Sequence, residues 1–272
     1  MYKLKQNDPL WIYKQQQTPF HLVTPSPWPL VCSWTLFLFI LEGMLYWNGL
    51  SEASKLTVNL HAILLISYFS LLIFFIFCWF NDIIIESTFE GYHTLAVQRG
   101  LRMGITLFII SEVMFFFSFF WSFFYYSLHP SIGIGCTWPP QSIEVISPWG
   151  MPFYNTVLLL SSGVTLVIAH RGFVQKSRKD ILEGLILTVL LGIIFLFCQA
   201  LEYIGSNFSI NDTVYGSIFF LMTGFHGLHV LIGTIVLLVT LLRHINYHFS
   251  KEHHIGFEAA AWYWHFVAIK RL

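Results

Sequence analysis

An all-α membrane protein, built as a bundle of helices, is the fold class this sequence predicts. Three observations carry that expectation. The chain is 56% hydrophobic and 18% aromatic with only 10% charged residues, far from the balance of a soluble domain. Its apolar residues gather into long runs rather than the short or alternating patterns of strands. The segments between the runs are polar and hold turn formers, so each run reads as a separate span.

A helix rises about 1.5 Å per residue, so about 20 residues cross a hydrocarbon core of about 30 Å. The first span, about 29–47, opens on Pro29 and closes at Asn48-Gly49. The second, about 56–80, follows Lys55, and the third, about 103–128, follows Arg99 and Arg102. Ser131 to Gly150 contains Trp138-Pro139-Pro140 and Pro148 and cannot be continuous helix. The fourth span, about 151–169, ends before Arg171, Lys176, Arg178 and Lys179, and the fifth covers about 181–201. Ser206-Asn207 and Asn211-Asp212 separate it from the sixth, about 214–242. The seventh, about 257–269, is too short to cross and stops before Lys270-Arg271-Leu272. Residues 1–28 are a polar N-terminal segment without a secretory cleavage pattern, and 29–272 form a single transmembrane domain.

Lys and Arg set the orientation. Lys3, Lys5, Lys14, Arg99, Arg102, Arg171, Lys176, Arg178, Lys179, Arg243 and Lys251 all fall on the side of the N-terminus, against Lys55 on the other. The N-terminus therefore faces the positive-inside compartment. A formal net charge of +0 leaves no basic footprint for nucleic acid. Cys32, Cys78, Cys136 and Cys198 form no CxxC pair and read as small hydrophobes rather than ligands.

Glu112 is the clearest ionisable residue inside a span. A carboxylate there faces a bundle interior with a partner, either as a hydrogen-bonded structural group or as a proton-handling one. Glu258 opens the seventh segment, where the macrodipole favours an acid in the first turn. His226 and His229, three apart on one helix face, read as histidines that bond between helices, with Gly224, Gly227 and Gly233 permitting close approach. A haem or metal reading needs further histidines on facing spans, and none are paired that way. The loops Trp79–Arg102 and Arg243–His254 hold cations and donors that a lipid headgroup needs, which positive-inside loops also carry for generic reasons.

Several motifs then converge. His21-Leu-Val-Thr-Pro-Ser-Pro-Trp-Pro29, Glu86-Ser-Thr-Phe-Glu-Gly-Tyr-His-Thr94, Ser111-Glu-Val-Met-Phe-Phe116, Trp138-Pro-Pro, Tyr215-Gly-Ser, Gly224-Phe-His-Gly-Leu-His-Val230 and Glu252-His-His-Ile-Gly-Phe-Glu-Ala-Ala-Ala-Trp-Tyr-Trp-His-Phe-Val267 stand in one order along the chain. Together they resemble subunit III of the cytochrome c oxidases of the haem-copper superfamily, from about His21 to Val267.

The resemblance implies a seven-helix bundle of two plus five helices, splayed around a V-shaped cleft that holds phospholipid. It places Glu112 at a reactive buried carboxylate on the side facing the proton-pumping subunit. It assigns Glu86, Thr88, His93, Arg243, His248 and His253 to the lipid headgroups. Ile85, Thr24 and Asn246 depart from the family's usual Arg, Asp and Lys, so two headgroup cations are missing. The implied function is that of a non-catalytic core subunit, supporting electron transfer from cytochrome c to dioxygen, proton uptake and bound lipid along an oxygen route. No cofactor is expected on this chain, and haem a and copper are expected in neighbouring subunits. Implied partners are the catalytic subunit I, subunit II, accessory subunits and phospholipids. The implied location is the mitochondrial inner membrane with the N-terminus in the matrix. A quinol oxidase subunit III shares the fold. A secondary transporter, the reading from another class, would need inverted repeats and broken helices, and the sequence has neither.

The family's seventh helix continues past the point where this chain reads Ala268-Ile269-Lys270-Arg271-Leu272. A helix over 257–269 covers roughly 20 Å. Two arrangements keep Lys270 and Arg271 out of the apolar zone. The segment lies at the matrix surface, or it enters as a truncated seventh helix and a second polypeptide or another subunit completes the span; the ungapped match to Val267 favours the latter.

Overall fold

The computed structural model describes residues 18–52, 55–141, 143–250 and 253–269. Expectations resting on Lys3, Lys5, Lys14, Lys251 and residues 270–272 lie outside the described residues. Among the described residues seven α-helices succeed one another: α1 Trp28–Glu52, α2 Lys55–Thr88, α3 Leu95–Leu128, α4 Met151–Gln175, α5 Arg178–Ile204, α6 Thr213–Ile245 and α7 Ile255–Ile269. A 3-10 turn, Ile132–Ile134, lies between α3 and α4, and the described residues contain no strand. Six of the helices are long and apolar enough to cross a membrane; α7 is not.

The helices outrun the apolar runs that announced them. The expected loop Trp79–Arg102 is helical to Thr88 and again from Leu95. Asn81 and Asp82 do not end α2 because Ile83-Ile84-Ile85 extends the apolar run beyond them. The stop comes at Gly91, which adopts φ +70°, a left-handed conformation that glycine enters without a Cβ penalty. Likewise α6 runs to Ile245, which shortens the expected loop Arg243–His254.

The chain divides into two compact units, one up to Arg99 and one from Gly100. In the first, α1 and α2 form an antiparallel hairpin. Phe39 meets Phe69, and Glu42 accepts a hydrogen bond from His61 Nδ1 at 2.8 Å. The segment before α1 folds back on the end of α2: Trp28 Nε1 donates to Asp82, His21 stacks on Tyr92, and Thr94 donates to the Pro19 carbonyl.

The second unit has a core shared by α4 to α7, in which Leu166, Leu185, Phe195, Val230, Leu237, Phe257, Trp264 and Val267 are fully buried. Small residues bring the helices close, as membrane bundles require. A Cβ on Gly184 would lie 2.7 Å from the Ala169 backbone nitrogen, so α4 and α5 touch backbone to backbone there. Thr165 and Thr188 share a 2.8 Å hydrogen bond across the same seam. Trp264 of α7 fits between Gly192 and Gly233, each of which would bring a Cβ to 2.9 Å from its ring. Its indole donates to Ser162 Oγ on α4 at 3.0 Å. Short as it is, α7 is a core element. Of the glycines expected to permit close approach, Gly233 does so. A Cβ on Gly224 or Gly227 would meet no described atom within 4 Å.

Candidate functional site

The polar residues of the second unit form bonds between helices. Glu112 on α3 faces His229 on α6, with Oε2 2.6 Å from Nε2. His229 Nδ1 lies 2.6 Å from the Phe225 carbonyl one turn earlier on its own helix. A carbonyl only accepts, so Nδ1 carries a proton. Nε2 then has two options. It accepts from a protonated Glu112, or it is itself protonated and donates to a carboxylate. Either way one proton lies between the two residues and the pair is neutral as a whole. That is the least costly way to keep ionisable groups in apolar surroundings. Phe115 and Phe116 flank the imidazole, and Tyr263 stacks beyond it at 6.4 Å between ring centres.

His226, three residues earlier, is buried and bonds to the Val267 carbonyl of α7 at 3.1 Å through Nε2. The two histidines thus act on different neighbours, α7 and α3. Glu258 stands in the first turn of α7, and Arg102 of α3 grips it with two bonds, at 2.8 and 3.3 Å. His254 lies 3.4 Å from the same carboxylate. In the sequence Arg102 looked like a generic loop cation; it is a helix-to-helix clamp.

The residues assigned to lipid headgroups fall in both units. In the first, Thr88 ends α2, Glu86 faces His21 at 3.3 Å, and the His93 ring lies 6.5 Å from that of His21. In the second, the Arg243 guanidinium covers the Phe249 ring at 4.5 Å. His248 follows in the turn, its N–H on the Arg243 carbonyl. Burial, then the Arg243 charge, hold the His248 imidazole below its ordinary value. His253 is exposed, and its N–H donates to Ser250 Oγ at 3.1 Å.

Sequence reasoning missed the partners more than the residues. His21 was seen only as the first letter of a motif. Asn155 and Glu202, buried and 3.4 Å apart across α4 and α5, were not paired. Nor was the Trp264–Ser162 bond foreseen. The described residues contain no group of three or more His, Cys, Asp or Glu that could hold a metal ion, and all four cysteines are free.

A family model described as cytochrome c oxidase subunit III matches residues 18–272. The cytochrome c oxidase subunit 3 of Prototheca wickerhamii is 50% identical over 252 residues, covering 92% of this chain and 93% of that protein. That of Chondrus crispus is 50% identical over 254 residues, covering 93% and 90%. That of Scyliorhinus canicula is 48% identical over 255 residues, covering 93% and 94%.

Proposed function

The chain belongs to the cytochrome c oxidase subunit III family, and from that premise we propose that it is a core subunit of an oxidase that passes electrons from cytochrome c to dioxygen and pumps protons. It does so without redox chemistry of its own. Haem a and copper sit in the catalytic subunit I and in subunit II, its principal partners alongside accessory subunits. It is a multi-pass protein of the mitochondrial inner membrane with its N-terminus in the matrix.

The observation that carries this reading is the Glu112–His229 pair. A neutral, proton-sharing pair in an apolar setting stabilises the bundle and stores a proton at no charge cost. In the assembled enzyme it maintains proton uptake by subunit I rather than catalysing anything. Phospholipid headgroups are held at Arg243, His248 and His253 in one unit and at Glu86, Thr88 and His93 in the other. The six long helices run unbroken, which supports a structural subunit over a transporter with midplane breaks.

Purification through a tag on this chain in mild detergent tests the reading. The haem and copper subunits should co-purify in a fixed ratio, and the Glu112→Gln complex should assemble but lose activity faster during turnover. A tagged chain that emerges free of haem refutes the assignment to the oxidase. Unaltered turnover stability in the Gln form refutes the proton role alone.

A further inference from the structure

We propose that a second phosphate-binding site lies where α4 and α6 end and α5 begins, separate from Arg243, His248 and His253. A cavity of about 350 Å³ opens there, lined by Phe173, Lys176, Arg178, His244, Tyr247 and Phe249, with Ser250 at its edge. Phe249 forms the wall that separates it from Arg243, which lies on that ring.

The central residue is His244. It is only 8% exposed, and neither ring nitrogen has a hydrogen-bond partner among the described residues. Phe173 packs against it edge to face at 5.4 Å. Buried polar groups are nearly always satisfied, so an imidazole with both nitrogens idle at the wall of a cavity points to a missing ligand. The surrounding charge gives the sign of that ligand. Lys176 is exposed and makes no ion pair among the described residues. Arg178 lies over the Tyr247 ring at 3.7 Å and donates one N–H to the Ile245 carbonyl at 3.2 Å, leaving further donors of its fork. No carboxylate among the described residues lines the cavity. Lys179 next door, by contrast, is matched by Glu183.

Of these cations only Arg178 serves the end of α6, and with a single N–H. The carbonyls of Leu242, Arg243, His244 and Ile245 accept from Asn246, His248, Tyr247 and Arg178 respectively. The rim is also conformationally unusual. Lys176 and Tyr247 both adopt φ +60°, a left-handed backbone that costs a bulky residue and is retained where the placement of the side chain matters. Three donors of different geometry, from Lys, Arg and His, line one cavity and suit the several oxygens of a phosphate better than a single carboxylate. The apolar side formed by Phe173, Ile181 and Phe249 leaves room for an organic substituent. The phosphate comes from a phospholipid headgroup or from a soluble phosphate compound, and the two are separable.

The test uses the assembled, delipidated oxidase in equilibrium dialysis with two labelled probes, inorganic phosphate and dihexanoyl-phosphatidylglycerol. Each is run on wild type, Lys176→Ala, His244→Phe and His244→Gln. Loss of one charge-assisted contact should weaken binding about tenfold in the Ala and Phe variants. His244→Gln keeps an N–H donor and should stay within about threefold of wild type. Lys176 is on the surface, so its variant assembles even if a His244 variant does not. Dependence seen with the lipid probe alone assigns a headgroup site; dependence seen with inorganic phosphate assigns a soluble phosphate site. If neither probe binds, or if binding is the same in wild type, Lys176→Ala and His244→Phe, the site does not exist.

Discussion

Gly233→Ala tests the packing of α7. The substitution exchanges a poor helix former for the best one, which alone would stabilise α6 by about 1 kcal/mol. Against that stands the ring of Trp264. The new methyl would lie 2.9 Å from Cε3 and 3.1 Å from Cζ3, inside any normal contact. The indole cannot retreat, because Gly192 meets its far edge and Ser162 holds its nitrogen. Overpacking costs about 1–3 kcal/mol, and a ring held on both sides places this case at about 2–3 kcal/mol, so the net effect is a loss of about 1–2 kcal/mol. For a chain of this size that lowers the unfolding midpoint by roughly 2–8 °C. Thermal release of this chain from the purified oxidase, scanned at a fixed rate, measures it. Trp264→Leu removes the obstructing ring edge, so Gly233→Ala should cost clearly less in that background. Equal costs in both backgrounds, within about 0.5 kcal/mol, would refute the wedge.

Three further outcomes are expected. Glu112→Ala leaves His229 Nε2 without a partner and should destabilise the bundle by about 1–3 kcal/mol, whereas Glu112→Gln preserves a hydrogen bond and should lose less than half of that in the same thermal scan. Arg102→Lys cannot reproduce the two-bond grip on Glu258 and should loosen the start of α7, read as faster amide exchange over residues 255–261, while Arg102→Gln should be worse still. His248 has a folded-state value depressed below the unfolded one, so its contribution is present above the unfolded value and is lost as pH falls through the folded one. Acidification below about pH 6.5 should therefore destabilise the wild type more than His248→Gln, and an anionic headgroup beside Arg243 should raise the His248 midpoint in a proton NMR titration.

The spans were legible because crossing a hydrocarbon core demands a run of apolar residues, and such runs survive any rearrangement of their neighbours. Their ends were less legible. Asn81 and Asp82 look like a stop, yet a polar residue does not interrupt backbone hydrogen bonding, and Asp82 has Trp28 as its partner. Only Gly91, through its backbone, ends α2. The seventh segment was the hardest to weigh. Hydropathy and length made α7 marginal, but its alternation of alanines with Phe257, Trp264 and Val267 is that of a helix enclosed by others. Length governs crossing; the small residues opposite govern packing, and they are distributed over Gly192 and Gly233, far away in sequence.

The same distinction explains which site residues could be named and which could not. An ionisable residue in an apolar run is visible alone, since its burial has a cost that demands a partner. The identity of that partner depends on helix rotation, which the sequence of one helix does not contain. Glu112 was thus readable, while its bond to His229, 117 positions away, was not. Once the pairs are known they sort the polar residues of the second unit by a simple rule. Glu112 has His229, Glu258 has Arg102, Trp264 has Ser162, Thr165 has Thr188, and His226 has the Val267 carbonyl. Each such bond closes a seam between two helices. His244 is buried too and its side chain closes none among the described residues, while cations gather beside it without a carboxylate. Single buried polar atoms elsewhere also lack a hydrogen bond, but among the described residues His244 alone leaves both nitrogens of a ring without one, and the cations beside it favour a ligand as the missing partner.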